Sequence, residues 1–410
     1  MQVTHRDFIV FWFCLAIVGL AFSVFVLGLS MLGLLLSGIF VYHYDAGRFR
    51  MVFNREGFGR LRAWRTQLPY FALMLVFVLA LFPGYPLEDP GYWLARLRIK
   101  LPFLVLPFAF MLFPRLETAD RLRVYRFGGW LLGLTALVLT LYYIMHWSEL
   151  QLRLEQGQPL PLPQNHIRFS LLIGLVSLGL LTGYGGGSAC RQKKRPLGLV
   201  LGLWLFVFLH ILSVRSGLAG VYLALGVLLL VQVFSSRKKG LAVLALFGLL
   251  LLPVLAWRLL PSVQTRVGYM LYDWEKFREG TDSGYADSGR FASWQTGWDI
   301  FLESPWVGVG SGNLRAAVAK KHPGVAEPLM PHNQWLTILA ANGLLGLLAF
   351  LPAIFLPLFY RSAWRRPGFL AAWIILVSSF AVESTLENAL GVGLFLVFLA
   401  VETLRATSVP

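Results

Sequence analysis

Several polar side chains in this sequence stand where a plain apolar scaffold would not need them. The run Pro331-His332-Asn333-Gln334-Trp335 closes a mixed, moderately polar stretch and opens an apolar one. An imidazole at such a boundary can take a proton from a substrate hydroxyl, which makes His332 a candidate general base. Arg215, in Ser213-Val214-Arg215-Ser216-Gly217, falls in a short turn between two apolar runs. Arg290 opens the run Asp287 to Leu302, in which Phe291, Trp294, Trp298 and Phe301 recur at helical spacing. A guanidinium is always charged and offers a planar fork suited to phosphate oxygens. His166 and Arg168 close one outer loop, and Glu383 and Glu387 end an apolar run at i, i+4 spacing, one side of a helix if the helix continues. Arg96, Arg98 and Lys100 lie on an expected interfacial helix over 92–100 and could meet the phosphates of an anionic lipid. Taken singly, each has a plainer reading: a structural boundary histidine, a snorkelling arginine, or a carboxylate serving as counter-ion.

The elements that would position these groups follow from composition. Of 410 residues, 57% are hydrophobic and 14% charged, and mean hydropathy is +0.67. Apolar runs longer than a soluble core needs recur from end to end. Residues 8–42 carry no Asp, Glu, Lys or Arg. A single helix over them would extend about 50 Å, against about 30 Å of hydrocarbon, so two short helices turning near Gly28 to Ser30 are expected. Further apolar segments lie at 69–83, 101–113, 127–146, 168–184, 196–213, 217–234, 240–260, 333–357, 368–386 and 390–403. The expectation is an all-α polytopic membrane protein of about twelve transmembrane helices.

Net charge is +16, which in a soluble chain would point to nucleic acid. In a membrane chain it is read through loop asymmetry. With the N-terminus inside, the inner loops collect Arg48 to Arg65, Arg115 to Arg126, Arg191 to Arg195, Arg237 to Lys239 and Arg361 to Arg366. That supports an N-in, C-in topology with no nucleic-acid partner. Residues 1–410 then form a single membrane domain, and 261–332 form a large, partly helical outer loop between the ninth and tenth spans. A loop of that length, rich in Trp, Phe and Gly, is expected to be functional. The first span lacks a small-residue cleavage site and reads as a retained anchor. Cys14 and Cys190 imply neither a disulfide nor a metal site. Gly308-Val309-Gly310-Ser311-Gly312 is read as a tight turn; no strand precedes it and no lysine follows at phosphate-loop spacing.

Together these positions resemble the O-antigen ligase, polymerase and O-oligosaccharyltransferase superfamily. The likeness rests on Arg215, on Arg290 with Trp294, on Pro305-Trp-Val-Gly-Val-Gly-Ser-Gly-Asn313, and on His332-Asn333 followed by Gly343 and Gly346. Glu383 to Leu390 is loosely similar to a His-led stretch of relatives but lacks that histidine. The resemblance implies a GT-C-like glycosyltransferase of the bacterial inner membrane, with its active site facing the periplasm. It would move a glycan from undecaprenyl diphosphate to a sugar hydroxyl of lipid A–core, in lipopolysaccharide biosynthesis. His332 would be the base, and Arg215 and Arg290 would hold the donor diphosphate. His166, Arg168, Asn333, Glu383 and Glu387 would line the site, and Arg96, Arg98 and Lys100 would meet acceptor phosphates. Transfer is expected to be inverting, with no metal and no cofactor.

An O-antigen polymerase or a protein O-oligosaccharyltransferase would use the same motifs on a different acceptor. A lipid or solute transporter would show repeats and polar groups at the bilayer midplane; no repeat is found, and the unusual polar groups gather at the outer boundary.

Overall fold

The computed structural model describes residues 4–45, 48–183, 195–235, 239–279, 286–325 and 329–404. Cys190, Arg191, Lys193, Lys194, Arg237, Lys238 and Arg405 lie outside them. In chain order the elements are α1 (His5–Phe22), α2 (Val24–Ile39), the strands β1 (Phe40–Asp45) and β2 (Arg48–Phe53), α3 (Arg55–Arg60), α4 (Leu68–Ala80), α5 (Pro90–Lys100) and α6 (Pro102–Leu112). Next come α7 (Thr118–Met145), α8 (Trp147–Glu155), α9 (His166–Gly183), α10 (Arg195–Leu212), α11 (Arg215–Ser235), α12 (Lys239–Leu259) and α13 (Pro261–Arg278). The last are α14 (Ala286–Glu303), α15 (Leu314–Lys321), α16 (Gln334–Phe359), α17 (Pro367–Ser379) and α18 (Ala389–Thr403).

Among the described residues, α1, α7, α9, α11, α12 and α16 are long and apolar enough to cross a membrane, and α2, α4, α10, α17 and α18 are shorter apolar helices. The chain is a multi-pass helical membrane protein. It packs as two compact units, one made of residues 1–124, 290–364 and 380–410, the other of 125–289 and 365–379.

In the first unit α1 and α2 pair antiparallel. Their turn is at Ser23, earlier than the expected Gly28 to Ser30. Ser23 has extended backbone and accepts from the Val26 N–H, and Gly19 lies so close to Leu27 that an added Cβ would be 2.3 Å from its nitrogen. The missing side chain at Gly19 is what lets the chain fold back there. The hairpin β1–β2 departs from the all-helical expectation: Phe40 pairs with Phe53 and Asp45 with Arg48. Aromatic residues at Phe40, Tyr42, Tyr44, Phe49 and Phe53, with Val41 and Val52, favour a strand over a helix here, and the Tyr42 and Phe49 rings stack at 5.8 Å.

One end of this unit is tied by charge. Arg121 Nη1 bonds Glu402 at 2.7 Å, Arg123 Nη1 bonds Asp7 at 2.7 Å, and Arg6 pairs with Glu117. The start of α1, the start of α7 and the end of α18 therefore meet at one end of this unit.

In the second unit α9 packs on α10, α11 and α17, while α8 packs on α13. α9 is buried along most of its length, which explains its many small residues. Gly174 meets Val221, and Gly217 meets Ser170, so α9 and α11 run close together from their N-terminal ends.

Candidate active site

His332 is held from two sides by segments of the first unit. Asn333 caps α16, its Oδ1 accepting from Trp335 N–H at 2.9 Å and Leu336 N–H at 3.1 Å. Its Nδ2 donates to the Ala381 carbonyl at 3.0 Å. The Gln334 N–H donates to the Phe380 carbonyl at 2.8 Å. The buried Gln334 amide accepts from Leu386 N–H at 2.8 Å and donates to Glu387 Oε1 at 3.0 Å. Ser384 Oγ reaches the Pro331 carbonyl and lies 2.8 Å from Thr337 Oγ1. These bonds strap residues 380–387 across the start of α16 and bring Glu383 Oε1 to 3.4 Å from His332 Nδ1.

From the other side, Trp294 Nε1–H on α14 donates to the His332 carbonyl at 3.0 Å. Ser293 Oγ accepts from His332 N–H at 3.3 Å and donates to the Arg290 carbonyl at 2.7 Å. Arg290 Nη2 lies 3.8 Å from the same Glu383 oxygen. The Glu383 side chain is 6% exposed, that of His332 33% and that of Arg290 27%. The carboxylate is thus internal, while base and guanidinium both open to a substrate.

A carboxylate facing Nδ1 selects the tautomer with its proton on Nδ1 and leaves Nε2 as the acceptor. The cluster can therefore take a proton through Nε2, stabilise the resulting imidazolium through Glu383, and offer Arg290 to an anion. One expectation is corrected: Glu383 and Glu387 do not share a helix face. α17 ends at Ser379, because Asn333 and Gln334 engage the backbone of the following residues. Asn388 instead caps α18 through Gly391 N–H. The helix carrying Arg290 begins at Ala286, ahead of the run that the sequence marks from Asp287.

The glycine turn and the glycines of α16 form one device. Gly343 breaks α16 with φ +63° and ψ −165°, and the backbone of Pro305 to Gly310 fills the break. Val309 N–H donates to Ala340 O at 3.0 Å and Gly310 N–H to Ala341 O at 2.8 Å, while Leu344 N–H donates to Pro305 O at 2.8 Å. A Cβ on Gly343 would sit 2.3 Å from the Trp306 carbonyl carbon, and one on Gly308 2.4 Å from that of Ala341. Ser311 and Gly312 then bond the Phe82 and Pro83 carbonyls. The segment linking α14 to α16 is locked to the end of α4, which fixes where Arg290 and His332 stand.

Two of the three cations expected for acceptor phosphates face inward. Lys100 Nζ lies 2.8 Å from Glu387 Oε1, and Arg96 Nη1 lies 3.6 Å from Oε2 while donating to the Glu387 carbonyl at 2.7 Å. Burial works against the Glu387 charge, but Lys100 and Arg96 outweigh it and hold the carboxyl below the usual carboxylate range. Arg96 also lies 4.9 Å from the Tyr92 ring, which Arg315 approaches at 5.3 Å. Arg98 is exposed.

The other expected residues belong to the second unit. His166 and Arg168 open α9, with Arg168 Nη1 donating to Asn165 Oδ1 at 3.2 Å. Arg215 opens α11 and is exposed. Because Gly217 packs on Ser170, all three share one end of that unit.

Residues 197–351 match the O-antigen ligase family. The match supports a place in the O-antigen ligase superfamily. No curated protein matches the chain at significant similarity. The matched stretch includes Arg215, Arg290 and His332, and the match points to a glycosyltransferase-like membrane enzyme of the ligase or polymerase type.

Within this cluster, the sequence alone does not single out Ser293, Gln334 and Ser384, whose value lies in bonds to segments distant in the chain. Gln334 had one usable signal: an amide side chain following His-Asn at the mouth of an apolar helix.

Proposed function

We propose that the protein is an O-antigen ligase of the bacterial inner membrane. It transfers a glycan from undecaprenyl diphosphate to a sugar hydroxyl of lipid A–core on the periplasmic face, in a twelve-span, N-in and C-in arrangement. The supporting observation is the convergence of His332, Glu383 and Arg290 at the start of α16. His332 Nε2 takes the proton of the acceptor hydroxyl, Glu383 steadies the imidazolium, and Arg290 stabilises charge developing on the departing diphosphate. Arg215, opening α11, keeps the phosphate-binding role that the superfamily implies, and His166, Arg168 and Asn333 the lining role. Attack on the diphosphate-linked anomeric carbon from the opposite face inverts its configuration. Arg98 is the cation best exposed for an acceptor phosphate, with Arg96 and Lys100 behind it.

The test is transfer of glycan from purified undecaprenyl-diphosphate donor to lipid A–core, with EDTA present, for wild type and His332→Ala. Transfer by wild type alone supports a metal-independent ligase with a histidine base. Elongation of donor glycan without lipid A–core transfer would make the protein a polymerase, and transfer to a protein hydroxyl an O-oligosaccharyltransferase. Full activity in His332→Ala would remove that residue from the mechanism.

A further inference from the structure

The second unit holds an arginine that neither the motifs nor the proposed mechanism use. Arg266 lies on α13, in the stretch that follows α12. Its guanidinium is fixed as a fork: Nη1 donates to the Gly157 carbonyl at 2.8 Å and Nη2 to the Gln158 carbonyl at 2.7 Å. A guanidinium has five N–H donors, so these two bonds orient the group and leave others to face a ligand.

The α10–α11 turn places Arg215 beside it. Ser213, held at φ +53°, donates through Oγ to Ser262 Oγ at 3.0 Å. Ser262 is one helical turn before Arg266, on the same side of α13. That bond is buried, since Ser262 is 2% and Ser213 5% exposed, so the docking is part of the core. Further along, Thr265 Oγ1 donates to Gln151 Oε1 at 3.3 Å and Gln151 Nε2 to Tyr143 Oη at 3.0 Å. The docking brings the turn that carries Arg215 to the side of α13 that carries Arg266, close enough for their charges to interact. Burial and the neighbouring Arg215 both work against the charge of Arg266 and push its pKa below the ordinary arginine value. A multiply charged anion held between the two groups would favour the charged form of both.

The turn that carries Arg215 stands on packed core: Phe208 and Leu212, just before it, are buried against Tyr143, Leu150 and Leu160. The turn docked on α13 is therefore fixed in place rather than free to move.

We propose that Arg266 is a donor-binding residue, which with Arg215 grips the diphosphate of a polyprenyl-linked substrate. This inference rests on the lipid-linked glycan transfer proposed above. If both guanidinia engage the headgroup, a diphosphate spans the two while a monophosphate engages one, so the pair distinguishes them.

The test uses the full chain in nanodiscs and titrates it with undecaprenyl diphosphate and, separately, undecaprenyl monophosphate. Wild type is compared with Arg266→Lys, Arg266→Gln and Arg266→Ala, each first checked for thermal unfolding and monodispersity. Loss of charge at Arg266 is expected to weaken diphosphate binding by about tenfold or more. Arg266→Lys should lose less, and the preference for diphosphate over monophosphate should shrink in the neutral variants. A residue that merely holds the 157–158 backbone would lower the unfolding temperature without changing that preference. Binding of the diphosphate by folded Gln and Lys variants as tight as wild type would overturn the assignment and leave the transfer reading standing. Failure of wild type to bind undecaprenyl diphosphate would overturn the donor reading itself, and this assignment with it.

Discussion

Replacing Glu383 by glutamine keeps the shape of the side chain and removes one charge. Glu383 Oε1 is 3.4 Å from His332 Nδ1. Between unit charges at that separation the attraction is about 5 kcal/mol at an effective dielectric of about 20. The imidazole is a third exposed, so solvent screens part of this and about 2–4 kcal/mol remains for the imidazolium formed as the acceptor hydroxyl is deprotonated. That corresponds to a fall in kcat of about 30- to 1,000-fold. The same change removes a negative neighbour 3.8 Å from Arg290, so the KM for donor should stay level or fall. Arg290→Ala should raise it. The assay is initial-rate glycan transfer at varied donor concentration and saturating acceptor, with Glu383→Asp as the charge-conserving control. A Glu383→Gln enzyme whose kcat stays within about threefold of wild type would refute the dyad, as would a loss expressed entirely in KM.

Trp294→Phe removes the 3.0 Å bond to the His332 carbonyl at a cost of about 1 kcal/mol, and kcat should fall about fivefold with thermal unfolding little changed; an unchanged kcat would detach α14 from positioning the base. Gly343→Ala demands a Cβ at φ +63°, 2.3 Å from the Trp306 backbone, and should destabilise by about 3 kcal/mol or more. Gly226→Ala, with open space around it, should be near neutral, and equal unfolding temperatures for the two variants would contradict the interlocked break. Glu387→Gln leaves Lys100, 5% exposed, without its carboxylate and should cost about 3–5 kcal/mol. The Glu387 carboxyl is held below its ordinary value of 4.5, so its contribution is complete above that pH and fades as pH falls through the lowered value. Thermal unfolding across pH should show the gap between wild type and Glu387→Gln closing on acidification; a gap that widens would reverse the sign assigned to this pair.

What the sequence determined by itself is local. Hydropathy over windows of bilayer length marks the apolar helices, because each must satisfy its own backbone in lipid. The spacing of Phe291, Trp294, Trp298 and Phe301 marks α14, and the His332-Asn333 pair marks the head of α16. The aromatic and valine residues within Phe40 to Phe53 also carried the hairpin, although an expectation built on spans alone overlooked it. The turn at Ser23 was misplaced because the decisive contact, Gly19 on Leu27, depends on how two apolar helices approach, which hydropathy does not encode. Tertiary structure alone decided the chemistry of the carboxylates. In sequence, Glu383 and Glu387 are equivalent members of an i, i+4 pair. The strap from Asn333 and Gln334 ends that regularity, sending Glu383 to His332 and Arg290, and Glu387 to Lys100 and Arg96. Arg266 is likewise one basic residue among many until Ser213 meets Ser262. The reason is common to both cases: a side chain's charge is fixed by its type, but its partners come from segments far along the chain, and only packing brings them within reach.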